Sequence, residues 1–237
     1  MTVVNWEEID TLLLDIDGTL LDRNFDDILW EQLLPSRYSE NNGFDADSAR
    51  KALLQHMREL AHTLDYYRID YWTEYTGVDL LALHHEVAHL LEFRPGARAF
   101  LDWLRRKDIC SILVTNAHRD CFAVKDSYCD LSDEIATIVS CHDYGHPKET
   151  QEFWESLNEA HPFDSARTLF IDDDEAVLDA ARQYGIKHLL TIRQPDSKRP
   201  VRRGLRFPSI NNLMELVPAD LVAPKFLVHG YSRWRFA

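Results

Sequence analysis

The stretch TLLLDIDGTLLD, residues 11–22, is a short apolar run that ends in two aspartates one residue apart. A continuous apolar run of this length reads as a strand buried on both faces, as in a parallel sheet. Asp15 and Asp17 would project to one side if the strand continued through them. Two like charges held close together repel, so a purely structural strand has no use for them there. A phosphate-handling enzyme that holds a cation does. Gly18 follows directly, and glycine permits a tight turn that brings backbone N–H groups close to an anion.

Four further β-rich runs lie downstream, at 110–114, 136–140, 168–171 and 188–192. Segments of helical period separate them, among them 97–106 and 175–184. Apolar strands alternating with amphipathic helices predict an α/β fold, a doubly wound parallel sheet covered on both faces. Its ligand site is expected outside the carboxyl ends of the strands. The interval from the first strand to the second is too long for one crossover helix. Residues 22–93 read as helical throughout, strongest at 47–64 and 66–75, and predict an inserted α-helical cap domain. Residues 1–21 and 94–217 would form the core, with FRPG (93–96) marking the return to it. A short helix is expected over 210–216, and 218–237 reads as a C-terminal extension without a clear period.

The chain has 237 residues, a net charge of −14 and a pI of about 5.1. That balance argues against duplex nucleic acid, where Lys and Arg must replace counterions at phosphates, and against an anionic membrane surface. A small anionic substrate remains compatible with it, because local cations can overcome a global charge. The N-terminus is acidic where a signal peptide is basic, and no run approaches the ~18 apolar residues of a membrane span. Four scattered cysteines without C-x-x-C spacing fit reduced thiols in the cytoplasm.

Polar residues close two later strands as well. Thr115 and Asn116 follow SILV, and Asp172, Asp173 and Asp174 follow TLFI. In a parallel sheet these ends share one edge, so acids far apart in sequence converge there. Oxygen-rich sites of this kind suit Mg²⁺, bound by a few carboxylates and substrate phosphate. D-x-D-G-T behind a strand, Thr-Asn after the second, a downstream lysine and an aspartate pair after a later strand together resemble the haloacid dehalogenase superfamily. The resemblance implies a phosphomonoester hydrolase in which Asp15 is the nucleophile and Asp17 the acid and base. It gives Mg²⁺ to Asp15, the backbone carbonyl of Asp17 and Asp173, with Asp172 beside it. Thr115 and Asn116 would hold phosphate oxygens, and Lys148, in GHPKE, would balance charge at the nucleophile. Here Pro147 precedes Lys148, whereas many relatives have the reverse order. Lys125 is the competing lysine, and its place mid-helix assigns it to a solvated face.

The likeness continues through HTLDYYRIDYW, LVTNAHRD and LFIDDDEAVLDAARQYGI to purine 5′-nucleotidases of that superfamily, which implies GMP or IMP as substrate. A phosphosugar or phosphoglycolate phosphatase is the main alternative, followed by a phosphomutase or a non-catalytic binding protein on the same scaffold. Tyr67, Tyr71 and Tyr75 recur at helical spacing, either as a packing stripe or as a wall for a flat base. HHEVAH contains H-E-x-x-H at 85–89, which pairs zinc ligands on a helix face but lacks an evident third ligand. Arg193, Lys198, Arg199, Arg202, Arg203 and Arg206 form a basic run expected to be a solvated loop, with attraction of nucleotide phosphate at the sheet edge as the alternative, and Arg50, Arg58 and Arg68 carry the same ambiguity. His118 and Arg119 stand near enough to Thr115 to touch substrate.

Overall fold

The computed structural model describes residues 4–218, and the expected C-terminal extension beyond Pro218 lies outside the described residues. Six parallel strands make one sheet: β1 (Thr11–Leu14), β2 (Cys110–Thr115), β3 (Thr137–Ser140), β4 (Thr168–Ile171), β5 (His188–Ile192) and β6 (Ser209–Ile210). Their order is β3-β2-β1-β4-β5-β6, so β1 is central and the chain leaves it in both directions.

Five helices separate β1 from the return to the sheet: α1 (Asn24–Ile28), α2 (Leu34–Asn42), α3 (Ala46–Leu60), α4 (Ile69–Thr76) and α5 (Leu80–Val87). The remainder are α6 (Ala97–Leu104), α7 (Arg119–Cys129), α8 (Leu131–Glu134), α9 (Gln151–Ala160) and α10 (Glu175–Tyr184). Every residue of β1 is buried because helices cover both faces. Leu12, Leu14 and Ile16 pack with Phe100 and Leu101 of α6, whereas Leu13 packs opposite with Phe153 and Trp154 of α9 and Leu178 of α10. Each buried leucine contributes about 1.5–3 kcal/mol, which anchors the strand that carries Asp15.

The helices of 24–87 close around their own core of Phe25, Leu29, Leu53, Trp72, Leu80 and Leu83, joined by Cys121 of α7. Two antiparallel connections attach this bundle to the sheet. Asp22 N–H donates to the Glu92 carbonyl and Arg94 N–H to the Leu20 carbonyl, each at 2.8 Å. Between α1 and α2 the helix takes one π turn, Leu29–Leu33.

Three local expectations need correction. The helix expected over 47–64 ends at Leu60, because the backbone leaves the helical region at Ala61, with ψ 136°, and His62 then adopts φ 66°. The segment 66–75 is a 3₁₀ turn, Leu64–Tyr67, followed by α4. Instead of one helix over 210–216 there is the two-residue strand β6 and a 3₁₀ turn, Leu213–Leu216, which Asn212 and Glu215 close as a capping box. Ile210 is fully buried at the sheet edge, and two residues are too short a strand to show a period.

Candidate active site

Leu14 of β1 pairs with Ile171 of β4, so the next residues of the two strands, Asp15 and Asp172, stand side by side. Beyond Asp15 the chain turns at once. The Ile16 carbonyl accepts N–H donations from Thr19, Leu20 and Leu21, and Gly18 takes φ +86°. A Cβ at Gly18 would lie 2.7 Å from Asp173 Cγ, so glycine is what lets the turn close over Asp173. Lys148 enters from the loop between β3 and α9. Its backbone is pinned at both ends, its N–H donating to Asn116 Oδ1 at 2.9 Å and its carbonyl accepting from Trp154 Nε1 at 2.8 Å. Its Nζ donates to Asp15 Oδ1 and to Asp172 Oδ2, each at 2.7 Å. Carboxylate oxygens of Asp15, Asp172 and Asp173 lie within 4.8 Å of one another, the one such group of metal-ligating side chains among the described residues.

Burial dominates the electrostatics. It raises the Asp15 carboxyl, with Lys148 opposing and Asp17 reinforcing the shift. It raises Asp172 well above the carboxylate range, Asp15 adding to the effect. Asp173 is pushed up to about 6 by burial, against the pull of Arg23, whose Nη1 donates to Asp173 Oδ2 at 2.9 Å. Burial works against the Lys148 ammonium, but Asp15 and Asp172 outweigh it and hold that group above its ordinary value. All these carboxyl shifts have the sign that a nearby cation reverses. Asp15 Oδ2 is buried without a hydrogen-bond partner among the described residues, an acceptor left free in a strongly acidic corner.

A model of the haloacid dehalogenase-like hydrolases matches residues 9–185. The chain belongs to that family. Over 216 residues it is 38% identical to the GMP/IMP nucleotidase YrfG of Escherichia coli K12, covering 91% of this chain and 97% of the relative. The fold is similar to that of a HAD phosphatase from Thermococcus onnurineus, with a TM-score of 0.74 at 20% identity over 88% of this chain and 96% of the other. It is also similar to the HAD-hydrolase YfnB of Bacillus subtilis bound to magnesium, with a TM-score of 0.63 at 21% identity over the same shares. This member of the family is a hydrolase of the phosphatase type.

In this hydrolase the cluster floors a cleft of about 480 Å³ that runs up into the helical bundle. Thr115 and Asn116 sit on the floor beside Asp15. Thr115 Oγ1 accepts the Ala117 N–H at 3.0 Å, and the Asn116 side chain is committed to the backbone of Lys148 and to Glu149. Asp17 stands at the mouth, its side chain 23% exposed against 6% for Asp15. Asp174 caps α10 instead, accepting the Ala176 N–H. Trp30, placed by the π turn, lines the upper cleft with Met57, Tyr66, Ile69 and Trp72.

Several expectations change here. Lys125 is not on a solvated face: it is 2% exposed, with Nζ 2.5 Å from Asp17 Oδ1. Its spacing gave a usable signal, since it lies four residues after buried Cys121 and four before buried Cys129, on the apolar stripe of α7. The tyrosines do not form one wall. Tyr67 lines the cleft and donates to Glu149, while Tyr71 and Tyr75 stack with His56 away from it. The basic run is a largely exposed loop, as expected, but much of it is bonded rather than free. Arg199 pairs with Asp27, Glu31 and Asp196, Arg206 with Asp179, and Arg202 donates to the Asp173 carbonyl at 2.8 Å. Arg119 is taken by Asp143, leaving His118 at the cleft edge. In the H-E-x-x-H segment α5 ends at Val87 and Glu86 pairs with Arg37, so His85 and His89 do not share a regular helix face. Arg23, Asp26 and Glu149 also line the cleft, and sequence reasoning assigned none of them a role, although Glu149 closes the GHPKE segment.

Proposed function

We propose that this hydrolase dephosphorylates purine nucleoside 5′-monophosphates through an aspartyl-phosphate on Asp15, with residues 22–93 acting as the cap that receives the nucleoside. The observation that carries the reading is the meeting of Asp15, Asp172 and Asp173 within 4.8 Å, with one buried Asp15 oxygen lacking a hydrogen-bond partner among the described residues. The nucleotidase likeness over nearly the whole chain supports the substrate class, and the aromatic upper cleft offers flat apolar surface on which a base can stack.

The donor set fits Mg²⁺, a hard cation that takes a few carboxylates and carbonyls and keeps positions for phosphate and water. Asp15, Asp173 and the Asp17 backbone carbonyl would hold it, with Asp172 beside them. Bound there, it would offset the repulsion between the attacking carboxylate and the phosphate dianion. The magnesium-bound relative of similar fold is consistent with this choice of ion.

The residues divide the remaining work. A carboxylate oxygen of Asp15 attacks phosphorus, the bond from phosphorus to the ester oxygen breaks, and Asp17 delivers a proton to that oxygen as it leaves. Asp17, now a carboxylate, then takes a proton from water as the water oxygen attacks phosphorus, which frees phosphate and restores Asp15. Asp17 suits this role because it is the cluster member with the most exposed side chain. Lys148 neutralises and orients Asp15. Thr115 accepts a backbone N–H and so keeps its own hydroxyl hydrogen for a phosphate oxygen, while the committed Asn116 side chain leaves that residue's backbone for the same task. The substrate class and the unpaired thiols fit a cytoplasmic enzyme.

The test is phosphate release from GMP, IMP, AMP, UMP and sugar phosphates, with Mg²⁺ and with EDTA, in the wild type and in Asp15→Asn. Hydrolysis should favour the 6-oxopurine nucleotides, stop in EDTA and fall by several orders of magnitude in the variant. Turnover retained in Asp15→Asn refutes the covalent route, and a clear preference for sugar phosphates refutes the substrate.

A further inference from the structure

We propose that Lys125, shared between Asp17 and Asp26, is a positioning residue for protonation of the leaving group, holding the Asp17 carboxylate at the mouth of the acid cluster. The inference rests on the reading of Asp17 as acid and base, and it adds a residue outside the motif set.

Lys125 comes from α7 on the sheet side, and Asp26 from α1 at the root of the helical insertion. Lys125 Nζ lies 3.0 and 3.2 Å from the two oxygens of Asp26 and 2.5 Å from Asp17 Oδ1. The Phe25 ring lies 5.4 Å from the same nitrogen. The two contacts differ in kind. Those to Asp26 are aligned hydrogen bonds, whereas Asp17 Oδ1 has a close charge contact without hydrogen-bond alignment. Asp26 therefore orients the ammonium, and the ammonium attracts Asp17 without locking it.

Charge makes such a device necessary. Asp15, Asp172 and Asp173 lie behind Asp17, and each repels it. Without the buried Lys125 ammonium beside it, the Asp17 side chain would turn toward solvent and away from the ester oxygen. A buried ammonium is costly unless paired, and Lys125 meets that requirement by bridging two carboxylates.

A merely structural ion pair and a positioning residue differ in their dependence on the leaving group. The ribose 5′-oxygen of IMP must be protonated as it departs, while nitrophenolate departs from p-nitrophenyl phosphate without help. In the full-length Lys125→Met variant the phosphorylation rate with IMP should fall by about 10²-fold, the lower end of what a positioned acid supplies. The nitrophenolate burst, read by rapid mixing, should stay near that of the wild type. Lys125→Arg, which keeps the charge, should recover part of the IMP rate. Should Lys125→Met fail to fold, Lys125→Met/Asp26→Asn leaves one carboxylate without its cation instead of two and should show the same split. Equal slowing of both substrates, or an unchanged IMP rate, overturns the role of Lys125. Asp17→Asn is the reference: if it shows no split, the reading of Asp17 itself fails, whereas a split confined to Asp17→Asn overturns Lys125 alone.

Discussion

Replacing Gly18 by alanine tests the geometry of the acidic corner directly. Two costs add. The backbone at φ +86° is a region that an L side chain enters at about 1–2 kcal/mol. The new methyl would also lie 2.7 Å from Asp173 Cγ, 2.8 Å from its Oδ2 and 3.0 Å from Pro195 Cβ, and overpacking of this kind costs about 1–3 kcal/mol. Asp173 has little freedom to swing aside, because Arg23 holds its carboxylate at 2.9 Å and Arg202 its carbonyl at 2.8 Å. The expected loss is about 2–5 kcal/mol, or roughly 4–20 °C in Tm for a chain of this size. Calorimetry with and without Mg²⁺ reads both consequences, since a displaced Asp173 should also shrink the stabilisation that the ion gives. Gly43→Ala is the control. It shares a positive φ, +67°, but its methyl would meet nothing within 4 Å, so only the backbone cost of about 1–2 kcal/mol remains. A Gly18→Ala protein that melts with the Gly43→Ala control and gains as much from Mg²⁺ as the wild type would refute the close approach to Asp173.

Trp30 is half-buried in the cleft and meets Trp72 edge-on at 5.9 Å. If a base stacks there, Trp30→Ala loses about 1–3 kcal/mol, raising KM for IMP by about 5- to 150-fold while KM for ribose 5-phosphate stays put. An equal rise for both substrates would place the defect in folding or phosphate binding. His84 is buried beside Phe25 and Trp30, its Nδ1 donating to the Leu80 carbonyl at 2.7 Å, and burial lowers it to about 4. The unfolded chain, with an ordinary value near 6.5, binds the proton first as pH falls. Stability should therefore drop between pH 6.5 and 4, by about 2 kcal/mol at pH 5 relative to pH 7. Urea unfolding at both pH values should show that part of the loss removed in His84→Leu, and an undiminished loss would refute it.

What the sequence made legible follows from how locally each feature is encoded. The strands from β1 to β5 are apolar runs because both sheet faces are covered, so their residues announce themselves without knowledge of neighbours. Asp15, Thr115 and Asp172 were readable because they end such strands, and parallel pairing alone brings strand ends together. The break at Ala61 and His62 was hidden because two residues outside the helical region leave the helical period on either side intact. The strand β6 was hidden because two residues have no period at all.

Lys148 was readable from its motif, but the partners of the other two cations, Lys125 and Arg23, were hidden for a different reason. Lys125 meets Asp26 across 99 residues and Arg23 meets Asp173 across 150, and neither contact leaves a spacing pattern in the chain. Composition hides them too, since a lysine on a helix is by default a surface residue. Yet the acids that were legible imply them. Four carboxylates gathered at one sheet edge need positive charge to stay ionised in a buried setting, and the chain meets that need sparingly. Lys148 serves Asp15 and Asp172, Lys125 serves Asp17 and Asp26, and Arg23 serves Asp173 and Asp27. Each of these three cations is divided between two carboxylates. The site therefore stays short of positive charge, and the raised carboxyls of Asp15, Asp172 and Asp173 register that shortage at the corner where the proposed divalent ion would bind.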